Sequence, residues 1–156
     1  MSRYFYIGLL AVVAVGITAL FSYRTSTPSA ELVDRADFGG VSLRIEYATT
    51  STALLRGLGG RDSIADDYGM LFVFPNKGNY GFWMKNMLVP IDIFWLNDKG
   101  QVVSITQNIA ASSYPDVFYP SEPVRYVLET DAGFANEHSI ATGTPLLLKN
   151  FPIVSE

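Results

Sequence analysis

Pro-Ile-Asp-Ile-Phe-Trp-Leu (residues 90–96), Asn-Asp-Lys-Gly (97–100) and Gln-Val-Val-Ser-Ile-Thr (101–106) form the clearest strand–turn–strand signal in the chain. Two β-branched and aromatic runs flank a four-residue stretch of turn formers, the pattern of a hairpin. Working toward the N-terminus, residues 82–85 (Phe-Trp-Met-Lys) follow turn chemistry at 76–81, and residues 69–74 (Gly-Met-Leu-Phe-Val-Phe) are an apolar run closed by Pro75. The spacing predicts that these two segments pair as a second hairpin. Residues 41–47 alternate apolar and polar without a break, as in a strand with one packed face. Between them, residues 49–58 carry hydroxyls at the start, apolar Ala53, Leu54 and Leu55, and glycines at the end, which predicts a short helix.

Toward the C-terminus, residues 124–130 read as a strand, 131–138 as one or two helical turns, and 146–149 as a last strand after a turn at 142–145. Many short strands with two small helices predict a mainly β fold, a compact jelly-roll-like β-sandwich or barrel. The chain has 156 residues, room for one such domain, and its ten Phe and nine Tyr promise a dense aromatic core. Its net charge of -4, without clusters of Lys and Arg, excludes nucleic acid as the expected partner. Cysteine is absent, which removes disulfides, thiolate metal sites and a Cys nucleophile.

Ahead of the domain, Tyr4 to Phe21 forms an uncharged apolar stretch, long enough at about 1.5 Å per helical residue to cross most of a bilayer of roughly 30 Å. Cleavage chemistry around Ala19 and Ala30 is poor, so an uncleaved signal-anchor is expected rather than a signal peptide. Arg3 and Arg24 balance each other across the segment, and an N-terminal anchor followed by one domain is the usual layout for export. The expected organisation is a transmembrane segment at 1–21, a polar linker at 22–36 and a β-rich domain at 37–156. The domain is expected on the extracytoplasmic side of the cytoplasmic membrane.

Five blocks stand out: Arg56-Gly57-Leu58, residues 67–74, Phe-Trp-Met-Lys-Asn-Met at 82–87, Pro-Ile-Asp at 90–92, and Arg-Tyr-Val-Leu-Glu at 125–129. In their order and spacing the chain closely resembles the uncharacterised family catalogued as domain of unknown function 192, over residues 41–148. The resemblance implies a compact, jelly-roll-like β-sandwich, often exported or membrane-anchored in bacteria and archaea, with no established activity. The family often has Met after Arg-Gly-Leu, where this chain has Gly59.

Lys85 and Asp92 place charges in segments otherwise suited to burial, and alternation puts Glu129 on the face of Arg125 and Val127. The expected site is a polar and aromatic pocket at one end of the domain, drawn from Arg56, Trp83, Lys85, Asp92, Arg125 and Glu129, binding a small molecule, glycan or protein. Paired charges commonly serve structure, so a network of structural ion pairs or a set of solvated strand faces is the more ordinary use of the same residues. Asp92 and Glu129 as an acid–base pair would suit a glycan hydrolase, and an accessory of a membrane complex would instead expose an apolar patch. No Ser lies in a nucleophile elbow and His138, the one histidine, reads as a surface residue. Met70, Met84 and Met87 near Trp83 suit core packing better than Cu(I), and Asp62, Asp66 and Asp67 are too few for a hard-metal site. No cofactor or metal is expected.

Overall fold

The computed structural model describes residues 34–149. The apolar segment at 4–21 and most of the expected linker lie outside them. Among the described residues, no helix is long and apolar enough to cross a membrane.

Among the described residues nine strands and two short α-helices follow in chain order, with one 3-10 turn at Ala111–Ser113: β1 Asp34–Phe38, β2 Val41–Ala48, α1 Ser51–Arg56, β3 Tyr68–Gly78, β4 Phe82–Trp83, β5 Ile91–Leu96, β6 Val102–Ile109, β7 Val117–Phe118, β8 Val124–Asp131, α2 Phe134–Glu137 and β9 Leu146–Leu147. β1 begins inside the stretch read as linker, where the alternation in residues 34–38 is too short to separate from a polar spacer. Seven strands form one sheet in the order β6-β5-β8-β3-β2-β1-β9, and β4 pairs with β7 as a separate ribbon. The sheet curls into a half-barrel. Its ends are linked where the Val102 N–H donates to the Thr144 carbonyl at 3.0 Å and the Leu146 N–H to the Gly100 carbonyl at 2.9 Å. The mainly β expectation therefore holds, with one curled sheet in place of two facing ones.

Two features of the pairing shape the sheet, and the second departs from the sequence reading. β2 and β3 are parallel, so their connection has to cross from one end of the sheet to the other, and α1 supplies the crossover. Thr50 caps α1, its Oγ1 accepting from the Ala53 N–H at 3.2 Å, and Gly57 ends it at φ 53°. The expected hairpin between residues 69–74 and 82–85 does not form. Both edges of β3 are taken, by β2 and β8, and Phe82 and Trp83 pair instead with Phe118 and Val117 of β7. The β3–β8 ladder loses its register after Val73, at the stretch holding Pro75, which has no N–H to donate.

The centre of the sheet is buried on both faces. All six residues of β5 are buried, so the strand shows an apolar run instead of alternation. One face packs Leu71, Phe94, Leu96 and Leu128 with Phe38 and Phe134. The other packs Met70, Phe72, Ile93, Trp95 and Val127 with Leu58 and Met84. Met70 and Met84 are thus core residues. His138 is half-buried, its ring centroid 4.4 Å from that of Phe134, where the sequence suggested a surface position.

Asp92 sits in the first face and is fully buried. Its Oδ1 accepts from the Asn108 N–H at 2.7 Å and its Oδ2 from the Ala135 N–H at 2.9 Å. Asn108 has a positive φ of 52° at a register shift between β5 and β6, and α2 starts from Gly133, which has no side chain to cap it. One carboxylate therefore satisfies the backbone of a bulge and caps a helix that cannot cap itself. Asp92→Ala is expected to leave both N–H groups unpaired and to cost about 2–5 kcal/mol. Urea unfolding of this variant beside Asp92→Asn, which keeps one acceptor oxygen and falls between, checks the assignment.

Candidate functional site

A cavity of about 220 Å³ opens on the second face, between α1, the outer part of β3 and the turn that follows β4. Phe72 and Phe74 are two apart on β3 and so share a face. Phe82 meets Phe72 edge-on with ring centroids 4.8 Å apart, and Trp95 behind it at 5.4 Å. Tyr80 stacks on Phe74 at 3.6 Å and is fixed there because its hydroxyl donates to the Asn76 carbonyl at 2.6 Å. Together with Trp83 these side chains give the cavity aromatic walls, and Leu54, Leu58 and Met87 add aliphatic surface.

The residues of two distinctive sequence blocks meet at the mouth. The Gly60 N–H donates to the Asn86 carbonyl at 2.9 Å, and Asn86 turns with φ 60°, so the Arg-Gly-Leu and Phe-Trp-Met-Lys-Asn segments are tied together. Arg56 and Lys85 line this entrance, both exposed. A Cβ on Gly59 would stand 2.9 Å from the Arg56 carbonyl oxygen, so a larger residue there could not keep this approach. Gly57 is required by its backbone, whose φ is positive, and a Cβ there would approach Phe72 to 3.3 Å and Glu129 Oε2 to 3.4 Å.

Glu129 is the interior polar group. It is 5 % exposed, lines the cavity, and its Oε2 has no hydrogen-bond partner among the described residues. Its neighbours across the ladders are apolar, Met70 on β3 and Ile93 on β5. Burial pushes the carboxyl up to about 8, against the weaker opposing pull of the Leu58 N–H and the Arg61 charge. At neutral pH the side chain is therefore mainly a neutral carboxylic acid. Arg61 is committed to Glu46, its Nη2 donating to Oε2 at 2.7 Å, and the Tyr68 hydroxyl donates to the same oxygen.

Of the six residues expected to converge, Arg56, Trp83, Lys85 and Glu129 do so. Asp92 and Arg125 are not among the lining residues. Asp92 pairs with Thr130 and Ile93 with Glu129, so the two carboxyls project from opposite faces of the sheet. They cannot flank one substrate, and the acid–base pair expected of a glycan hydrolase is corrected by this register. Arg125 is half-buried, its Nε donating to the Phe74 carbonyl at 3.2 Å, so it holds the backbone of β3 at a residue of the cavity wall. Tyr80, Phe74 and Gly57 were not singled out as site residues. Their signal was position alone, next to the distinctive blocks.

The pH dependence of stability follows from Glu129. The unfolded chain ionises this carboxyl near its ordinary 4.5, the folded one near 8, so between these values unfolding releases a proton and stability falls as pH rises. The slope from this one group is about 1.4 kcal/mol per pH unit. Glu129→Gln is expected to remove it, which denaturant midpoints of the two proteins at pH 5, 6, 7 and 8 will show.

Residues 34–148 match the family described as DUF192, uncharacterised ACR. Two solved structures share the fold at a TM-score of 0.68 each. One, described as a candidate transcription regulator from Sinorhizobium meliloti 1021, is 29 % identical, with 72 % of this chain and 91 % of that one covered. The other, a protein of unknown function from Novosphingobium aromaticivorans, is 27 % identical, with 72 % and 82 % covered. A comparison with curated proteins finds no match. Because the match takes in β1 to β9 and every block around the cavity, the chain belongs to the DUF192 family.

Proposed function

We propose that this protein is a ligand-binding module, held at the outer face of a membrane by residues 4–21, and that its ligand is a small molecule with an apolar body and an anionic end. One observation carries the reading. Glu129 places a buried oxygen without a partner inside an aromatic cavity whose mouth has two exposed cations. Buried polar atoms in proteins are nearly always satisfied, and the exceptions concentrate where a ligand completes the set. A concave apolar site with few convergent polar groups is also the ordinary form of a small-molecule pocket.

Arg56 and Lys85 support an anionic end, since the ion pairs among the described residues are formed by Arg44, Arg61 and Lys77 instead. The cavity volume of about 220 Å³ has room for roughly seven waters at about 30 Å³ each, which suits one compact molecule and not a polysaccharide chain. The description of the Sinorhizobium protein as a candidate regulator suggests DNA as a partner, but the net charge of -4 gives that reading no support here. The uncharged stretch at 4–21 supports the membrane attachment.

Thermal-shift measurements with small carboxylates and phosphates of apolar body test the binding. A ligand at about 100 times its Kd adds about 2.7 kcal/mol to stability. Arg56→Ala and Lys85→Ala, both at exposed positions, are expected to weaken the shift while leaving the ligand-free Tm unchanged. A panel in which nothing shifts Tm contradicts the reading. For the attachment, the full chain is expected to stay with carbonate-washed membranes, and a chain lacking residues 2–21 to leave them.

A further inference from the structure

The polar groups of the cavity are sorted by charge and by depth. The carboxyl is inside, at 5 % exposure, and the two cations are at the entrance, outside the ion pairs of the described residues. An occupant bearing only an anion would satisfy the entrance and leave Glu129 Oε2 as it is. A lone cation would satisfy Glu129 but would have to rest behind Arg56 and Lys85 with nothing to offset them. One class of ligand answers both ends.

We propose that the cavity takes a zwitterion, with a compact ammonium group against the Glu129 carboxyl within the aromatic walls and a carboxylate or phosphate between Arg56 and Lys85. This rests on the ligand-binding reading above and names its ligand class. Phe72, Phe74, Tyr80, Phe82 and Trp83 line the space, and the faces of such rings attract ammonium groups, most strongly when water is excluded. Apart from Glu129, the inner lining is aromatic or aliphatic. An alkylated ammonium pairs with the ionised Glu129 carboxyl by charge, and with few or no N–H groups of its own to satisfy it suits these walls better than a bare one. The cavity of about 220 Å³ has room for a trimethylammonium head with a short link to its anion.

Binding has a proton balance. A permanently charged ammonium beside the neutral Glu129 carboxyl favours its ionised form, so the carboxyl proton passes to solvent and a carboxylate–ammonium pair remains. The groups facing Glu129 do not replace this effect. Met70 and Ile93 on the neighbouring strands are apolar, Arg61 from the loop after α1 is paired with Glu46 of β2, and Arg56 and Lys85 stand at the entrance.

The test is isothermal titration of the 156-residue chain, in a maltoside detergent at pH 7, in buffers of different ionisation heat. The probes are glycine betaine, phosphocholine and 3,3-dimethylbutanoate, the last keeping the shape and carboxylate of betaine with carbon in place of nitrogen. Betaine or phosphocholine is expected to bind with close to one proton released, the first assigning a carboxylate end and the second a phosphate. Dimethylbutanoate is expected to bind at least tenfold more weakly and to release none. Glu129→Gln should lose the proton release and at least tenfold of the affinity, and the wild-type proton count stands on its own if that variant does not fold. If dimethylbutanoate binds as well as betaine, or betaine binds without proton release, the zwitterion is overturned and the ligand-binding reading survives. If none of the three binds, the zwitterion is overturned, and the wider thermal-shift panel then decides the binding reading separately.

Discussion

The register of β5 against β8 sets Asp92 opposite Thr130 and Ile93 opposite Glu129, and that single offset gives two buried carboxyls different environments. On one face Asp92 finds two backbone N–H groups and serves the fold, closing a bulge in β6 and the start of α2. On the other face Glu129 is packed between Met70 and Ile93 with one oxygen left over, facing a cavity. Burying a carboxyl costs several kcal/mol when it is ionised. Glu129 avoids much of that cost by keeping its proton. A slip of one residue would exchange the two faces.

The cavity exists because of what surrounds that position. The parallel β2–β3 pair requires a crossover, and its helix α1 brings Leu54, Arg56 and Leu58 over the sheet. Gly57, at positive φ, lets the crossover descend close to Phe72 and Glu129, and Gly59 lets it turn where a Cβ would stand 2.9 Å from the Arg56 carbonyl oxygen. Arg125 pins the Phe74 carbonyl, and Tyr80 stacks on the Phe74 ring. Strand register, crossover and glycines together place a neutral acid below two cations.

Much of the fold was legible in the sequence because local chemistry agreed with the final structure. The alternation at 41–47, the Thr50 cap, the Asn-Asp-Lys-Gly turn and the strand at 124–130 all appear in place. What local pattern cannot carry is partnership. Residues 69–74 and 82–85 were the right segments with the wrong partners, since a strand buried on both faces carries no mark of its neighbours. The same applies to the site. Arg56, Trp83, Lys85 and Glu129 were found from charge and aromatics set in distinctive blocks, and they meet. Asp92 shared that signature, a charge in an apolar strand, but its partners are backbone groups sixteen and forty-three positions away, which no residue pattern reveals.

The neutrality of Glu129 links the buried carboxyl, the cavity and its ligand, and it can be measured directly. A carbon-13 NMR titration of the Glu129 side-chain carboxyl, assigned by the loss of its signal in Glu129→Gln, reads its protonation in the folded protein. A midpoint near 8 is expected. A midpoint near the ordinary 4.5 would mean that the carboxyl is already ionised and served by partners, and would contradict the central claim.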